Sequence, residues 1–252
     1  MNNNRRLVAV VACRNNGSRL FGKPLQNLDI HNNWKIIDQV IDNLKSCEVI
    51  SQIVLAIAEG NDNLSYCEYA NEKGLMYVVG DEIDVLDRLN KGLIKAKGTD
   101  LFRVTSESPF LYKKPIEEAW SSHKMCKNDA TFLDGIIDGC GFEIINSKAL
   151  KYSWENGKKK HRSEMCSLFI RENRNIFKID QINCPKELER EDLRLTVDYP
   201  EDLIVCRYIF NNLIKDNDSY DLLDVVKYLD ENPFLKNLIE PFCEKGYKTM
   251  YL

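Results

Sequence analysis

The chain has 252 residues, of which 44% are hydrophobic and 29% are charged, and its formal net charge is −4 at pH 7. This length and composition exclude a disordered or fibrous protein and suit one large α/β domain. The acidic balance excludes a globally basic surface of the kind that binds nucleic acid.

No apolar stretch approaches the roughly 20 residues that a membrane-spanning helix needs. The apolar run at residues 7–12 is short and is soon followed by Arg14, so it predicts a core strand and not a signal peptide. We therefore expect a cytoplasmic protein with no nucleic-acid or membrane partner. The nine cysteines are scattered and form no Cys-x-x-Cys pair, which argues against a zinc site or a disulfide framework.

Strands and helices alternate through the first half of the chain. Unbroken apolar runs predict buried strands, and apolar residues at helical spacing predict the helices between them. In chain order these elements are strand 7–12, a helix starting near residue 34, strand 52–58, helix 61–73, strand 75–79, helix 85–97, strand 100–105 and helix 115–127. This alternation predicts a doubly wound parallel sheet, in which ligands bind beyond the carboxyl ends of the strands.

The pattern changes in the second half. Residues 131–145 are apolar and contain three glycines, which predicts extended structure with room for a substrate to lie close. The remaining predicted elements are helices 147–155 and 162–173, a short strand 176–179, a core strand 193–198, a helix from 199 to about 214, and two C-terminal helices over 220–229 and 234–243.

A polar loop follows the first predicted strand, with the sequence Arg14-Asn15-Asn16-Gly17-Ser18-Arg19-Leu20-Phe21-Gly22-Lys23-Pro24. Small residues let backbone N–H groups approach phosphate oxygens, and fixed cations offset the phosphate charge. By itself the loop suits either a polyphosphate site or a tight, solvated turn. It is neither a Gly-x-Gly-x-x-Gly dinucleotide motif nor a P-loop, so both of those classes are disfavoured.

Three further segments stand where predicted strands end. Residues 80–88 either start a capped helix with an Asp84–Arg88 pair or direct Arg88 toward a site. In residues 103–109 a Pro turn holds Glu107 where its carboxylate can ligate a metal. Asp198 is either a helix N-cap or a further carboxylate of the same site.

The four segments together resemble the motifs of nucleotidyltransferases with the glycosyltransferase-A-like fold. They are most similar to cytidylyltransferases of the spore-coat-polysaccharide type, which are related to the enzymes that activate keto-deoxyoctonate and sialic acids with CTP. The family motif Ala-Arg-x-x-Ser-x-Arg-Leu-Pro-Gly-Lys corresponds to residues 13–23, Gly-x-x-x-Asp-Val-Leu-x-Arg to 80–88, Arg-x-Thr-x-Asp-x-Pro to 103–109, and Leu-Arg-x-Thr-Val-Asp-x-Pro-Glu-Asp-Leu to 193–203.

This resemblance implies an α/β fold: a Rossmann-like, mixed and mostly parallel sheet flanked by helices, with a small extended and helical region for the acceptor and for dimerisation. It implies one nucleotidyltransferase domain over residues 1–252. Within it, residues 6–128 and 193–215 would form the nucleotide-binding core, 129–192 the acceptor and dimer region, and 216–252 the C-terminal helices. A homodimer is expected.

The resemblance also implies an activity, the transfer of CMP from CTP to a sugar, a sugar acid or a small phosphorylated or polyol acceptor, with Mg²⁺ as cofactor and pyrophosphate as product, for surface glycan biosynthesis. The implied catalytic residues are Arg14, Lys23, Glu107 and Asp198, the last two as metal ligands. The residues implied to bind the nucleotide are Ala12, Cys13, Arg14, Asn15, Asn16, Gly17, Arg19, Lys23, Gly80, Asp81, Arg88, Arg103, Thr105 and Ser106. Those implied to bind the acceptor are Gly141, Glu143, Lys160, Arg162 and Glu164.

The sequence departs from the family pattern at several positions. Cys13, Gly17 and Phe21 replace Ala, Ser and Pro in the first loop, and Glu107 stands where the family has Asp. The family's Glu-His-Val-Thr stretch is here Ser163-Glu164-Met165-Cys166. The acceptor half is therefore altered more than the nucleotide half, which points to an unusual acceptor.

Three questions stay open from the sequence. The basic run at residues 158–162 is either a solvated surface loop or a mobile clamp on an anionic acceptor. A glycosyltransferase of the same fold would need an Asp-x-Asp motif where Ser106-Glu107-Ser108 stands, which disfavours that alternative. A non-catalytic nucleotide-binding descendant of the enzyme is the other alternative.

Overall fold

A seven-stranded mixed sheet forms the centre of the computed structural model, which describes residues 5–15, 19–163, 165–217 and 220–250. The strand order is β5-β4-β1-β6-β8-β7-β9, and β2 and β3 form a separate two-stranded sheet. The strands are β1 (Leu7–Cys13), β2 (Asn27–Asp29), β3 (Trp34–Lys35), β4 (Ile50–Ala58), β5 (Met76–Gly80), β6 (Asp100–Arg103), β7 (Ala130–Phe132), β8 (Glu143–Asn146) and β9 (Ile179–Gln181). Strand β8 is antiparallel to β6 and β7, and the other pairings in this sheet are parallel. The predicted mixed, mostly parallel sheet is confirmed.

Helices cover both faces of this sheet. In the described part of the chain they are α1 (Ile36–Lys45), α2 (Leu64–Glu72), α3 (Val85–Lys95), α4 (Ile116–Cys126), α5 (Ser147–Asn156), α6 (Leu168–Glu172), α7 (Pro200–Ile209), α8 (Leu222–Glu231) and α9 (Pro233–Met250). Helix α7 continues as one π-helical turn over Phe210–Ile214. None of these helices is both long and apolar enough to cross a membrane.

Strand β1 shows why the sheet is covered on both faces. Its side chains alternate between faces, so Leu7, Ala9 and Val11 enter one buried cluster while Val8 and Val10 enter the other. All five are almost completely buried. A strand with two apolar faces needs a layer of helices on each, and the first β-α units supply them.

The second half of the chain differs most from the sequence prediction. Residues 131–145 are not extended throughout: they contain the end of β7, a loop and the start of β8. The segment 193–198, predicted as a core strand, is buried as far as Val197 but forms only an isolated bridge between Arg194 and Asp138. Its apolar side chains explain the wrong prediction, because burial alone does not require a ladder of strand hydrogen bonds.

The predicted helix 162–173 is also shorter than expected, and only α6 (Leu168–Glu172) is α-helical. A short 3-10 turn at Lys159–Arg162 precedes it. At the opposite end of the chain, Trp34 belongs to β3, and the first helix begins at Ile36.

Gly92 offers a test of how tightly α3 packs on the sheet. A Cβ at this position would lie 2.5 Å from Val10 Cγ1 and 3.5 Å from Val54 Cγ1. We expect Gly92→Ala to lower the free energy of unfolding by about 1–3 kcal/mol, although Ala favours an exposed helix by roughly 0.5–1 kcal/mol. The control is Ile94→Ala on the solvent-exposed face of the same helix, measured alongside by urea denaturation. A Gly92→Ala protein as stable as the parent would contradict this packing.

Candidate active site

Two adjoining cavities open at the carboxyl ends of β1 and β6. The first cavity is lined by Ala12, Arg14, Asn15, Arg19, Leu20, Lys23, Pro24, Val85, Arg88, Leu89, Arg103, Val104, Thr105, Ser106 and Glu107. The second cavity is lined by Arg19, Arg103, Val104, Thr105, Glu107, Ser108, Leu133, Asp134, Asp138, Gly139, Gly141, Phe142, Glu143, Met165, Arg171, Thr196, Asp198 and Gly246. The two cavities share five lining residues and therefore form one continuous site: Arg19, Arg103, Val104, Thr105 and Glu107.

The first loop is anchored at its start. The Asn15 backbone N–H donates to Asn63 Oδ1 at 2.8 Å, and the Asn15 side-chain amide donates to Ser65 Oγ at 3.1 Å. Further along, Gly22 returns to the same point, because its N–H donates to the Asn15 carbonyl at 3.2 Å. Gly22 has φ +58°, a left-handed conformation that glycine adopts without strain. The loop is therefore held at both ends around the first cavity.

Positive charge dominates the first cavity. Among the described residues, its lining contains one acidic side chain, that of Glu107, and five basic ones: Arg14, Arg19, Lys23, Arg88 and Arg103. Fixed cations of this density stabilise an anionic ligand that carries several charges. The cavity thus suits a polyphosphate.

Arg88 lies under this cavity and is almost completely buried. Its Nη1 donates to the carbonyls of Asp81 and Glu82, at 2.5 and 2.8 Å, so it does not form the Asp84–Arg88 pair that the sequence allowed. Gly80 leaves room for it, since a Cβ there would lie 3.2 Å from Arg88 Cγ. Burial lowers the pKa of Arg88. Gly80 and Asp81 line neither cavity, and both lie against Arg88.

Asp198, the last residue of the segment 193–198, forms ion pairs with two side chains of the first loop. Its Oδ1 lies 2.6 Å from Lys23 Nζ and 3.4 Å from Arg19 Nη2, and its Oδ2 accepts from Arg194 Nη2 at 2.9 Å. Burial alone would raise the pKa of Asp198, but the hydrogen bond from Lys23 and the surrounding cations outweigh it and lower that pKa. The start of α7 is capped by Asp202, whose carboxylate accepts from the Asp198 N–H at 2.8 Å. The alternative of Asp198 as the N-cap is therefore wrong.

Glu107 lies next to Asp198 because their two segments are hydrogen-bonded. The Val197 N–H donates to the Glu107 carbonyl at 3.0 Å, and both carboxylate residues line the second cavity. Ser106 Oγ donates to Glu107 Oε2 at 3.0 Å. This arrangement places two carboxylates where the two cavities meet.

A buried network of charges lines the second cavity. Glu143 accepts from Arg103 at 3.1 Å, from Arg171 at 2.9 Å and from Ser167 at 2.6 Å. Burial alone would raise the pKa of Glu143, but Arg103 and Arg171 outweigh it and lower the pKa to about 2. Arg171 also makes two hydrogen bonds to Asp134, at 2.7 and 2.9 Å. Sequence reasoning missed Arg171 and Asp134, because neither stands in a motif.

Asp138 forms another wall of the second cavity and is 5% exposed. Arg194, itself buried, lies 3.9 Å from Asp138 Oδ2 and donates to the carbonyl of Phe242 in α9 at 2.9 Å. Gly246 of α9 completes this wall, since a Cβ there would lie 2.5 Å from Asp138 Oδ2 and 2.8 Å from Arg194 Nη1. The Phe242 ring stacks on Tyr199 with centroids 4.0 Å apart. Helix α9, which the sequence placed outside the site, therefore contributes to it.

The structure separates the residues expected at the site into three groups. Those that line the cavities are Ala12, Arg14, Asn15, Arg19, Lys23, Arg88, Arg103, Thr105, Ser106, Glu107, Gly141, Glu143 and Asp198. Those that line neither are Cys13, Gly80, Asp81, Lys160 and Arg162. Asn16, Gly17 and Glu164 lie outside the described residues.

The contacts of Cys13, Lys160 and Arg162 explain why these three residues line neither cavity. Cys13 points into the core, where burial raises its pKa. Lys160 pairs with Glu172 at 2.5 Å, and Arg162 pairs with Asp84 at 2.5 Å and donates to the Trp154 carbonyl at 2.8 Å. These contacts hold the basic run against α3 and α6, so the structure does not place Lys160 and Arg162 at the cavity as a clamp on the acceptor.

Burial raises the pKa of Asp138 to about 6, and the nearby Asp198, Asp202 and Glu107 add to the shift against the opposing effect of Arg194. In the unfolded chain an aspartate has a pKa near 3.9. Between about pH 4 and 6, Asp138 therefore holds its proton in the folded state but loses it in the unfolded chain. The contribution of Asp138 to the free energy of unfolding falls as the pH rises through that window.

We expect Asp138→Asn to raise the free energy of unfolding by about 1–3 kcal/mol near pH 7.5 and to change it little near pH 4, in buffer without divalent cations. Chemical denaturation across this pH range measures the difference. Asp192→Asn is the matched control, and it should change the free energy of unfolding near pH 7.5 in the opposite direction. The reason is that the hydrogen bond from Arg190 lowers the Asp192 pKa to about 2. An Asp138→Asn protein that is less stable than the parent near pH 7.5 would contradict the expectation.

Comparison with known proteins identifies the family of this chain. The family model described as Cytidylyltransferase matches residues 8–236. An uncharacterised protein of Methanocaldococcus jannaschii, MJ1063, is 27% identical over 249 residues, covering 97% of this chain and 99% of that protein. The spore coat polysaccharide biosynthesis protein SpsF of Bacillus subtilis is 21% identical over 233 residues, covering 90% and 95%.

A solved structure has the same fold. A cytidylyltransferase from Leptospira borgpetersenii superposes with a TM-score of 0.81 at 17% identity, covering 92% of this chain and 96% of that one. The family model covers most of the chain, including both loops that carry Lys23 and Asp198. This chain therefore belongs to the cytidylyltransferase family, whose members are nucleotidyltransferases that use CTP.

Proposed function

We propose that this protein transfers CMP from CTP, bound in the first cavity, to an acceptor bound in the second cavity, with release of pyrophosphate. The observation that carries the proposal is the excess of positive charge in the first cavity: among the described residues five basic side chains and one carboxylate line it, and Asp198 at its edge pairs with two of the five. A triphosphate needs such compensation, and a cavity adjoining it at the same sheet edge can hold the second reactant.

Residues of the first cavity would act by position and charge. Arg14, Arg19 and Lys23 would offset the triphosphate charge, and Arg88 would keep the backbone at residues 81–82 in place beside it. An acceptor oxygen would attack the α-phosphorus from the second cavity and displace pyrophosphate. Such a displacement depends on positioning and on charge stabilisation more than on covalent help from the protein.

Mg²⁺ fits the junction of the two cavities. Glu107 and Asp198 provide carboxylate oxygens there, which are the ligands that Mg²⁺ prefers. Among the described residues no group of three or more His, Cys, Asp or Glu side chains is arranged to hold a metal. Mg²⁺ commonly binds to one or two carboxylates together with substrate phosphates and water, which suits this pair. When bound, the ion would supply charge stabilisation to the phosphoryl oxygens.

In this proposal the cationic partners of Asp198 change when CTP binds, from Lys23 and Arg19 to the metal ion. Lys23 and Arg19 neutralise Asp198 in the structure. A bound triphosphate would compete for both cations, and Asp198 would then be available to the metal. Arg194, which stays buried, would keep the carboxylate oriented.

The wider role is also a proposal. The relative from Bacillus subtilis is described as a spore coat polysaccharide biosynthesis protein, which supports a role in surface glycan assembly. The homodimer expected over residues 129–192 stays a prediction.

The nucleotide assignment predicts that CTP alone among the four ribonucleoside triphosphates supports efficient pyrophosphate release. The assay would supply Mg²⁺ and a mixture of sugars, polyols, sugar acids and sugar phosphates, and would measure pyrophosphate for each nucleotide. Binding of each nucleotide would be measured in parallel by calorimetry. Turnover of another triphosphate, with CTP neither bound nor used, would overturn the assignment.

The two carboxylates can be tested separately from nucleotide binding. We expect Glu107→Gln and Asp198→Asn to lower kcat by roughly 100-fold or more while CTP still binds, because each change removes a carboxylate that would hold Mg²⁺ beside the reacting phosphate. Glu68→Gln and Asp224→Asn, at exposed positions in α2 and α8, are the matched controls. A wild-type protein that binds CTP and Mg²⁺ yet never turns over would support the non-catalytic alternative.

A further inference from the structure

The aromatic side chain of Tyr199 lines neither cavity but contacts a cation that lines both. The Arg19 guanidinium carbon lies 4.9 Å from the centroid of the Tyr199 ring, and Arg19 Nη1 donates to the Tyr199 hydroxyl at 3.2 Å. Arg19 itself lies where the two cavities meet. The two residues are 180 positions apart in the chain, so this contact fixes the first loop against the start of α7.

The backbone of Tyr199 is fixed by the residues that begin α7. Pro200 restricts the residue before it to extended conformations, and Tyr199 has φ −117° and ψ 160°. The Tyr199 N–H donates to Asp202 Oδ2 at 2.9 Å. Local structure therefore sets the direction in which the ring leaves the chain.

Helix α9 holds the ring itself. Phe242 stacks on Tyr199 with ring centroids 4.0 Å apart and ring planes within 16° of parallel. The Phe242 carbonyl accepts from Arg194 Nη1 at 2.9 Å, and Arg194 also binds Asp198, so α9 is fastened to the same cluster of charges. Phe242 lies beyond residue 236, where the match to the family model ends, so that model gives it no role.

This stack prepares Arg19 for an anionic ligand. Contact with an aromatic ring uses the flat face of a guanidinium and leaves N–H groups at its edges for oxygen atoms. The Arg19 side chain is 39% exposed, and a long exposed side chain loses rotamer freedom when it binds a ligand. A ring that already holds the guanidinium reduces that loss.

Given the proposed binding of CTP in the first cavity, on which this step rests, we propose that Tyr199 is a positioning residue for the triphosphate. With Phe242 stacked on it, Tyr199 holds the Arg19 guanidinium where the phosphate oxygens of CTP would meet it. The ring supplies this effect, because the hydrogen bond to the hydroxyl is exposed and water can replace it. Helix α9 thus contributes to nucleotide binding although it does not line the first cavity.

Calorimetry of CTP binding in the presence of Mg²⁺ tests this role without an acceptor. We expect Tyr199→Leu to raise the Kd of CTP by about tenfold and Phe242→Leu to raise it by about threefold. Tyr199→Phe keeps the ring and should change the Kd by less than about twofold. The matched control is Tyr208→Leu, at a tyrosine of the same helix that is 44% exposed, and it should leave the Kd unchanged.

A double-mutant cycle separates positioning of Arg19 from general support of the fold. Arg19→Ala should itself raise the Kd of CTP by about tenfold or more, and adding Tyr199→Leu to it should raise the Kd no further, because the ring then has no guanidinium to hold. Urea denaturation would show which variants are folded. If Tyr199→Leu does not fold, Phe242→Leu in the wild-type and Arg19→Ala backgrounds completes the same cycle.

Three results would overturn the inference. They are single-variant losses that multiply in the double variant, a folded Tyr199→Leu protein that binds CTP as tightly as the wild type, and a Tyr199→Phe protein that binds it as weakly as Tyr199→Leu. Each of them leaves cytidylyl transfer standing.

Failure of the proposed function has a different signature. A wild-type protein that binds another nucleoside triphosphate in place of CTP contradicts the CTP assignment, and the same cycle with that triphosphate still decides the role of Tyr199. A wild-type protein that binds no triphosphate overturns both proposals.

Discussion

The ion pair between Lys23 and Asp198 is the contact on which the site depends, because it joins two loops that are 175 residues apart in the chain. Asp198 is held from behind by Arg194, which also lies 3.0 Å from Asp202 and 3.9 Å from Asp138. A buried charge is stable only when it is compensated, so these groups fix one another's positions. The first loop, the last motif and helix α9 all meet at this cluster.

Charge is distributed unevenly between the two cavities of the site. Basic side chains collect around the first cavity, where a triphosphate would need compensation, and internal ion pairs line the second. The arrangement has a cost in stability, because Asp138 is buried beside other carboxylates and its pKa is raised to about 6. Catalytic sites commonly retain such unfavourable groups for their function.

Much of the nucleotide side could be predicted, because its residues stand in local motifs at strand ends. Arg14, Lys23 and Glu107 line the cavities as the alternation of strands and helices led us to expect. The acceptor side could not be predicted in the same way. Lys160 and Arg162 form local ion pairs away from the cavity, while Arg171 and Asp134 reach it from α6 and from the loop after β7.

The sequence by itself determined the α/β class, the parallel core and the loops that end at its carboxyl edge, because apolar periodicity and short connections are local properties. Only the tertiary structure decided that residues 193–198 are not a strand, that Cys13 faces the core, and that Gly246 completes a wall of the second cavity. It also decided which carboxylate neutralises which guanidinium. Such pairings depend on contacts between residues far apart in the chain, and no local pattern encodes them.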